Sequence, residues 1–198
     1  PLSFEKLKPV MLHRGPDAQE TFTQYNVSFG HFRLSILDIE GGAQPMHLNN
    51  ELTIIFNGQI YNHLSLREQF GLQGNTRSDT ETLLLLYQKM GNAMLPYLDG
   101  MFAMAIFDHN RKTIFLARDR AGKKPLYIYR HNNTLAFASE LNGIKAICNP
   151  GIREGYFNLY TRLGVFYRTL TPYQHTEELE AGTYCLIQTQ SLSVEKFR

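Results

Sequence analysis

Asn57 and Gly58 close a short apolar run of β-forming residues, Leu52 to Phe56. Together they offer a side-chain carboxamide and an unhindered backbone N–H at one place. Glycine lets a backbone approach a ligand closely, and two donors aimed at one developing negative charge are what an oxyanion hole requires. The same dipeptide after a strand is also a common hairpin turn, so the pair does not decide the matter alone. Arg33, before Leu34-Ser35-Ile36, brings a guanidinium that can grip a carboxylate through parallel hydrogen bonds; its plainer reading is a surface arginine. Asp79 stands in Ser78-Asp79-Thr80-Glu81, a helix start by composition. There the free N–H groups and the helix dipole favour its ionised form, which suits a ligand ammonium, and ordinary helix-start chemistry explains it equally well. His13 to Asp17 reads as a turn with solvated charges. Ala117 to Gly122 reads as a strand end whose charges pair internally.

The elements that must position these residues follow from periodicity and punctuation. Val27 to Phe29 and Leu34 to Ile39 read as short strands around Gly30-His31-Phe32-Arg33, and Gly41 to Pro45 as a loop. Leu52 to Phe56 is the next strand. His63 to Phe70 reads as a helix ending near Gly71. Ser78 can cap the following helix, with Glu81 reaching back as in a capping box. The Leu-rich run Thr82 to Tyr87 makes that helix buried nearly all round, and a short helix follows over Ala93 to Leu98. Met101 to Phe107 and Thr113 to Arg118 pair through a turn at Asp108 to Arg111. Leu126 to Arg130 and Thr134 to Ser139 pair around His131-Asn132-Asn133, followed by a helix over Glu140 to Ile147. Pro150-Gly151 reads as a boundary, with a last hairpin from Thr183 to Gln188 and Leu192 to Phe197. Strands joined by tight turns, with helices between them, give an α+β class of layered antiparallel sheets.

The chain has 198 residues, 43% of them hydrophobic, enough for one substantial core. Twenty basic and eighteen acidic residues leave a net charge of +2, without the basic run that nucleic acid would call for. No apolar stretch approaches the ~20 residues of a membrane span. Residues Pro1 to Val10 carry Glu5, Lys6 and Lys8 rather than a signal-peptide apolar segment. Cys148 and Cys185, far apart and outside any CxxC spacing, point to reduced thiols and a cytoplasmic location. The seven histidines form no ligand pair, so no structural metal is expected.

Several stretches, in this order, resemble one family: HRGPD (His13 to Asp17), GHFRLSILDIEGGAQPM (Gly30 to Met46), FNGQIYN (Phe56 to Asn62), SDTETLL (Ser78 to Leu84), LDGMFAMAIFD (Leu98 to Asp108), ARDRAGKKPLY (Ala117 to Tyr127) and FASEL (Phe137 to Leu141). They are similar to the glutamine-hydrolysing domain of asparagine synthetases, a class II glutamine amidotransferase with an N-terminal-nucleophile hydrolase fold. The resemblance implies a four-layer αββα sandwich of two antiparallel sheets. It implies a domain over residues 1–147, with 148–198 as its extension towards a synthetase domain. It assigns Arg33 to the α-carboxylate of glutamine, Asp79 to the α-ammonium, and Asn57 and Gly58 to the oxyanion hole. Leu34, Ser35 and Gly42 would add backbone contacts. Gln59 stands where the family commonly has a glutamate that helps bind the amino group, and it keeps an acceptor oxygen without the charge.

The family's nucleophile is a cysteine at the first residue of the mature chain, whose thiolate attacks the carboxamide while its own α-amine shuttles the proton. A thioester forms, ammonia leaves, and water releases glutamate. Here the chain starts at Pro1 and the first family motif arrives at His13, so the reading expects the first strand to be missing and the chain as given to be inactive. Pro1, Cys148 and Cys185 are not expected to substitute. The competing expectation is a non-catalytic glutamine-binding or interaction domain. The chain lacks a Ser-Gly-Gly-x-Asp-Ser-type loop, so no cofactor is expected within it, and ATP and Mg²⁺ would belong to the synthetase domain.

Overall fold

The computed structural model describes residues 4–34, 41–165, 167 and 169–198. Four layers stack in it. The central one is a six-stranded antiparallel sheet in the order β11-β10-β6-β5-β4-β3: β3 (Met46–Leu48), β4 (Leu52–Ile60), β5 (Gly100–Asp108), β6 (Thr113–Arg118), β10 (Tyr184–Gln188) and β11 (Val194–Phe197). Facing it lie two smaller sheets. One pairs β1 (Ala18–Gln24) with β2 (Val27–Arg33). The other orders β8 (Thr134–Ala138), β7 (Tyr127–His131) and β9 (Thr176–Glu178). Helices α2 (His63–Phe70) and α3 (Asp79–Met90) cover the outer face of the large sheet. On the opposite side α1 (Phe4–Met11) and α4 (Leu141–Cys148) pack together beside β7 and β8. A last helix, α5, spans Tyr156–Leu163.

The period-2 alternation of the strands builds two cores, since successive side chains leave opposite faces of a sheet. Ile54, Phe56, Ile60, Phe102, Met104, Ile106 and Phe115 meet Leu83, Leu84 and Leu86 of α3. Ala103, Ala105, Phe107, Ile114, Leu116 and Ile187 meet Val27, Phe29, Leu126 and Ile128 between the sheets. Asn57 has the parity of the second set, so its side chain enters the space between the sheets. Residues beyond Gly151 belong to both sheet layers, with β9 pairing β7 and β10 pairing β6.

Four local expectations are corrected. Gly30 to Arg33 is not a link between two strands. It continues β2, in register with Thr21, Glu20, Gln19 and Ala18 of β1. That polar strand shows little apolar alternation, and its turn falls at Tyr25-Asn26 instead. Leu34 lies outside any element, and the rest of the proposed strand, residues 35–39, falls outside the described residues. Asn57 and Gly58 do not follow a strand, because β4 runs on through them to Ile60, opposite Ala103 and Phe102. Ser78 caps α3 as expected, accepting from the Thr80 N–H at 3.2 Å, but Glu81 does not close a capping box. Its carboxylate accepts from the backbone N–H groups of Asn75 and Thr76 at 2.8 and 2.9 Å and from Arg67 at 3.1 Å. The Ser78 N–H turns instead to the Thr76 hydroxyl at 3.2 Å. Burial raises the Glu81 pKa, but these hydrogen bonds outweigh it and hold the carboxyl below its usual range.

Candidate functional site

A cavity of about 880 Å³ opens between the sheet layers. Arg33, Leu34, Gly42, Asn57, Gly58, Gln59 and Asp79 all line it. Seven of the eight residues singled out in the sequence therefore share one hollow, and the eighth, Ser35, lies outside the described residues. Arg33 ends β2. Leu34, just after it, is 56% exposed at the mouth. Gly42 is buried in the loop before β3. Asp79 opens α3 and is only 6% exposed.

The geometry of β4 decides what its backbone can offer. Along one edge it is paired with β5 from Leu52 to Ile60. In an antiparallel ladder alternate residues turn their N–H and C=O to opposite edges. Phe102, the register partner of Gly58, spends its N–H on Asp119 Oδ2 at 3.1 Å, and its carbonyl accepts from the Asp119 N–H at 2.8 Å. The polar groups of Gly58 therefore point to the other edge, where β3 pairs only with residues 52 to 54. Beyond β3, side chains take over the role of a neighbouring strand. The Phe56 N–H donates to Gln44 Oε1 at 2.6 Å, and the Ile60 N–H donates to Asp79 Oδ2 at 2.9 Å. The Gly58 N–H lies between these two and finds no partner among the described residues.

The Asn57 carboxamide supplies the second donor. Its Nδ2 is buried and makes no hydrogen bond among the described residues. Buried polar groups are nearly always partnered, so an orphaned donor at a cavity wall is a group held ready for something the cavity receives. Glycine at 58 is required by close approach. A Cβ there would stand 2.1 Å from the Met101 carbonyl oxygen, at a backbone φ of +157°.

Three groups of this wall were not foreseen in the sequence. Gln44 and Thr80 line the cavity and touch each other, with Gln44 Nε2 3.4 Å from Thr80 Oγ1. His31, on β2, also lines it; burial lowers its pKa to about 4, against a hydrogen bond to the Phe56 carbonyl that raises it, so the ring is neutral near pH 7. No spacing rule marks Gln44, because its partner lies twelve residues away across a loop. Cys148 and Cys185 are absent from the cavity wall, and burial pushes both thiols up to about 11.

The profile of the glutamine amidotransferase domain matches residues 3–198. The chain belongs to that family. Among relatives of this amidotransferase domain, a putative glutamine-hydrolyzing asparagine synthetase of Methanocaldococcus jannaschii is 35% identical over 97% of the chain and 42% of the relative. Glutamine-hydrolyzing asparagine synthetase 1 of Bacillus subtilis is 41% identical over 73% of the chain, and asparagine synthetase B of Escherichia coli 39% over 72%. The alignments span 24% and 26% of those two proteins, so the chain corresponds to well under half of each of these relatives. The glutamine phosphoribosylpyrophosphate amidotransferase of B. subtilis, solved with ADP and GMP, superposes with a TM-score of 0.59 at 24% identity over 86% of the chain and 34% of that protein. That likeness shows a shared fold, and the layered α+β sandwich of the amidotransferase domain agrees with it.

Proposed function

We propose that this domain binds glutamine in the cavity and, within a complete protein, releases its side-chain nitrogen as ammonia. The observation that carries the reading is a pair of donors without a partner among the described residues, Asn57 Nδ2 and the Gly58 N–H, in one hollow with Arg33 and Asp79. Arg33 takes the α-carboxylate. Asp79 keeps one carboxylate oxygen for the α-ammonium after giving Oδ2 to the Ile60 N–H, and Gln59 adds a neutral acceptor. Leu34 and Gly42 frame the ligand's backbone end, and Ser35 is assigned there by the family resemblance alone. The two donors then receive the oxyanion formed when a thiolate attacks the carboxamide carbon. Collapse of that intermediate breaks the C–N bond, ammonia leaves, and water cleaves the thioester to glutamate.

The thiolate is proposed to come from a strand led by a cysteine, as the family resemblance implies. Two unpaired strand edges support that reading. Among the described residues β2 and β8 each have one unpaired edge, and residues of both strands line the cavity. The 198 residues by themselves are expected to bind glutamine without turning it over, since neither Cys148 nor Cys185 reaches the cavity wall.

Residues 148–198 are read as the extension of this domain towards a synthetase domain. There, ATP and Mg²⁺ would activate aspartate as an aspartyl-adenylate for amidation to asparagine, in the cytoplasm. Calorimetric titration of the chain with L-glutamine tests the reading. Saturable binding that Arg33→Ala abolishes is expected, and a wild-type chain that binds no glutamine would overturn it.

A further inference from the structure

The open edge of β4 carries one group that the proposed chemistry does not use. Among the described residues Gln44 makes no hydrogen bond to Asn57 or Gly58, yet it joins the elements on either side of them. Its Oε1 accepts from the Phe56 N–H at 2.6 Å, and its Nε2 lies 3.4 Å from Thr80 Oγ1, in the first turn of α3 next to Asp79. On the far side of Gly58, Asp79 Oδ2 takes the Ile60 N–H at 2.9 Å. The three outward N–H groups of this stretch, at residues 56, 58 and 60, are thus closed by Gln44, left open, and closed by Asp79.

We propose that Gln44 is a positioning residue, which sets the direction of the oxyanion-binding N–H by closing the β4 edge one donor earlier and tying it to the start of α3. The inference rests on the glutamine-hydrolysing reading of the same cavity. Without Gln44 the Phe56 N–H becomes a second open donor, one strand repeat from Gly58. Among the described residues the stretch between Ile54 and Ile60 then keeps only Asp79 at its outer edge, and the Gly58 N–H loses its fixed angle to the Asn57 carboxamide. Donors of an oxyanion hole act through preorganisation, so a small rotation there lowers turnover more than ground-state affinity.

The acceptor role separates two substitutions. Gln44→Leu keeps the size of the side chain and removes both contacts. Gln44→Glu keeps an acceptor for the Phe56 N–H, and the Thr80 hydroxyl can turn to donate to its second oxygen. Two measurements read the result. Amide hydrogen exchange on the 198-residue chain reports Phe56 directly: it should quicken at least about tenfold in Gln44→Leu, as for an amide released to local opening, and stay near the wild-type rate in Gln44→Glu. In the complete protein, kcat for ammonia release from glutamine should fall on the order of 10²-fold in Gln44→Leu, the scale of a misplaced catalytic group, with KM changed far less. Gln44→Glu should restore most of it. An unchanged Phe56 exchange rate in Gln44→Leu, an unchanged kcat, or equal loss in both variants would overturn the inference. Failure of the underlying reading looks different, because the wild-type protein would then fail to bind or hydrolyse glutamine before any substitution is made.

Discussion

Asn57→Ala separates chemistry from stability. The Asn57 Nδ2 is buried without a partner among the described residues, and leaving such a donor unsatisfied costs a folded protein about 1–3 kcal/mol. Removing it returns part of that cost, while the backbone of β4 opposite Ala103 is untouched. The loss of a few side-chain contacts opposes the gain, so the net change in stability should stay within about 1 kcal/mol, a shift of roughly 2–4 °C in melting temperature for a chain of this size. Turnover should respond differently. Loss of one oxyanion donor costs about 10²–10³ in kcat, or roughly 2.7–4 kcal/mol of transition-state stabilisation. Thermal unfolding of the 198-residue chain and ammonia release by the complete protein, each with and without the substitution, give the two numbers. KM should move little, because the carboxamide oxygen of the bound substrate carries less charge than the intermediate. Asn57→Asp, similar in shape but an acceptor, should be at least as slow. A melting temperature lowered well beyond this range would show that Asn57 is a structural residue. An unchanged kcat would remove it from the oxyanion hole.

Arg33→Ala should sharply weaken glutamine-dependent synthesis in the complete protein and leave ammonia-dependent synthesis largely intact, since free ammonia needs no carboxylate clamp; equal loss of both activities would count against the assigned role. Gly58→Ala should lower stability by about 1–3 kcal/mol, because the new Cβ would stand 2.1 Å from the Met101 oxygen; an unaltered unfolding curve would mean that β4 and β5 can separate there freely. The pKa of His31 is depressed from 6.5 to about 4 by burial, so between those values the unfolded chain binds a proton that the folded chain does not. Stability should therefore fall as pH drops from 6.5 towards 4, by at most about 3 kcal/mol from this group. The slope should flatten in His31→Gln, and identical slopes in chemical denaturation would assign it to other residues.

What the sequence reveals follows the range of the forces involved. α2 ends at Gly71, which adopts the left-handed conformation, and the Ser78 cap of α3 is written in adjacent residues, so both are legible. The hairpin from β5 to β6 is legible too, because its turn is local and its strands alternate. The polar strand β1 is not, since Gln19, Glu20 and Thr21 become a strand only by pairing with Phe32, His31 and Gly30. The reading of Asn57-Gly58 as a strand exit fails for a related reason. Glycine in a strand looks like a break until the Met101 carbonyl is known to press against it. Arg33, Asn57 and Asp79 each had a commonplace reading, and they stood out only through the order of the motifs around them. Gln44 did not, because the Phe56 N–H it accepts from is a backbone group without a signature.

The β4 edge also shows why the structural and the functional readings of Asp79 were both incomplete. As a helix-start residue it should serve α3 alone, and as a ligand group it should stand free in the cavity. Instead one of its oxygens takes the Ile60 N–H, so a carboxylate at the start of α3 also closes the edge of β4. A strand with no neighbour on one side exposes a donor at every second residue, and an open row of that kind binds water or another chain without discrimination. Closing the donors at 56 and 60 with side chains, and leaving the one at 58, turns the row into a single directed donor. The residue left open must be a glycine, because β5 leaves no room for a Cβ, and its neighbour Asn57 turns its carboxamide into the space between the sheets. Asn-Gly at this point of the chain is then a consequence of an unfinished sheet edge bounded by Gln44 and Asp79, rather than of any turn.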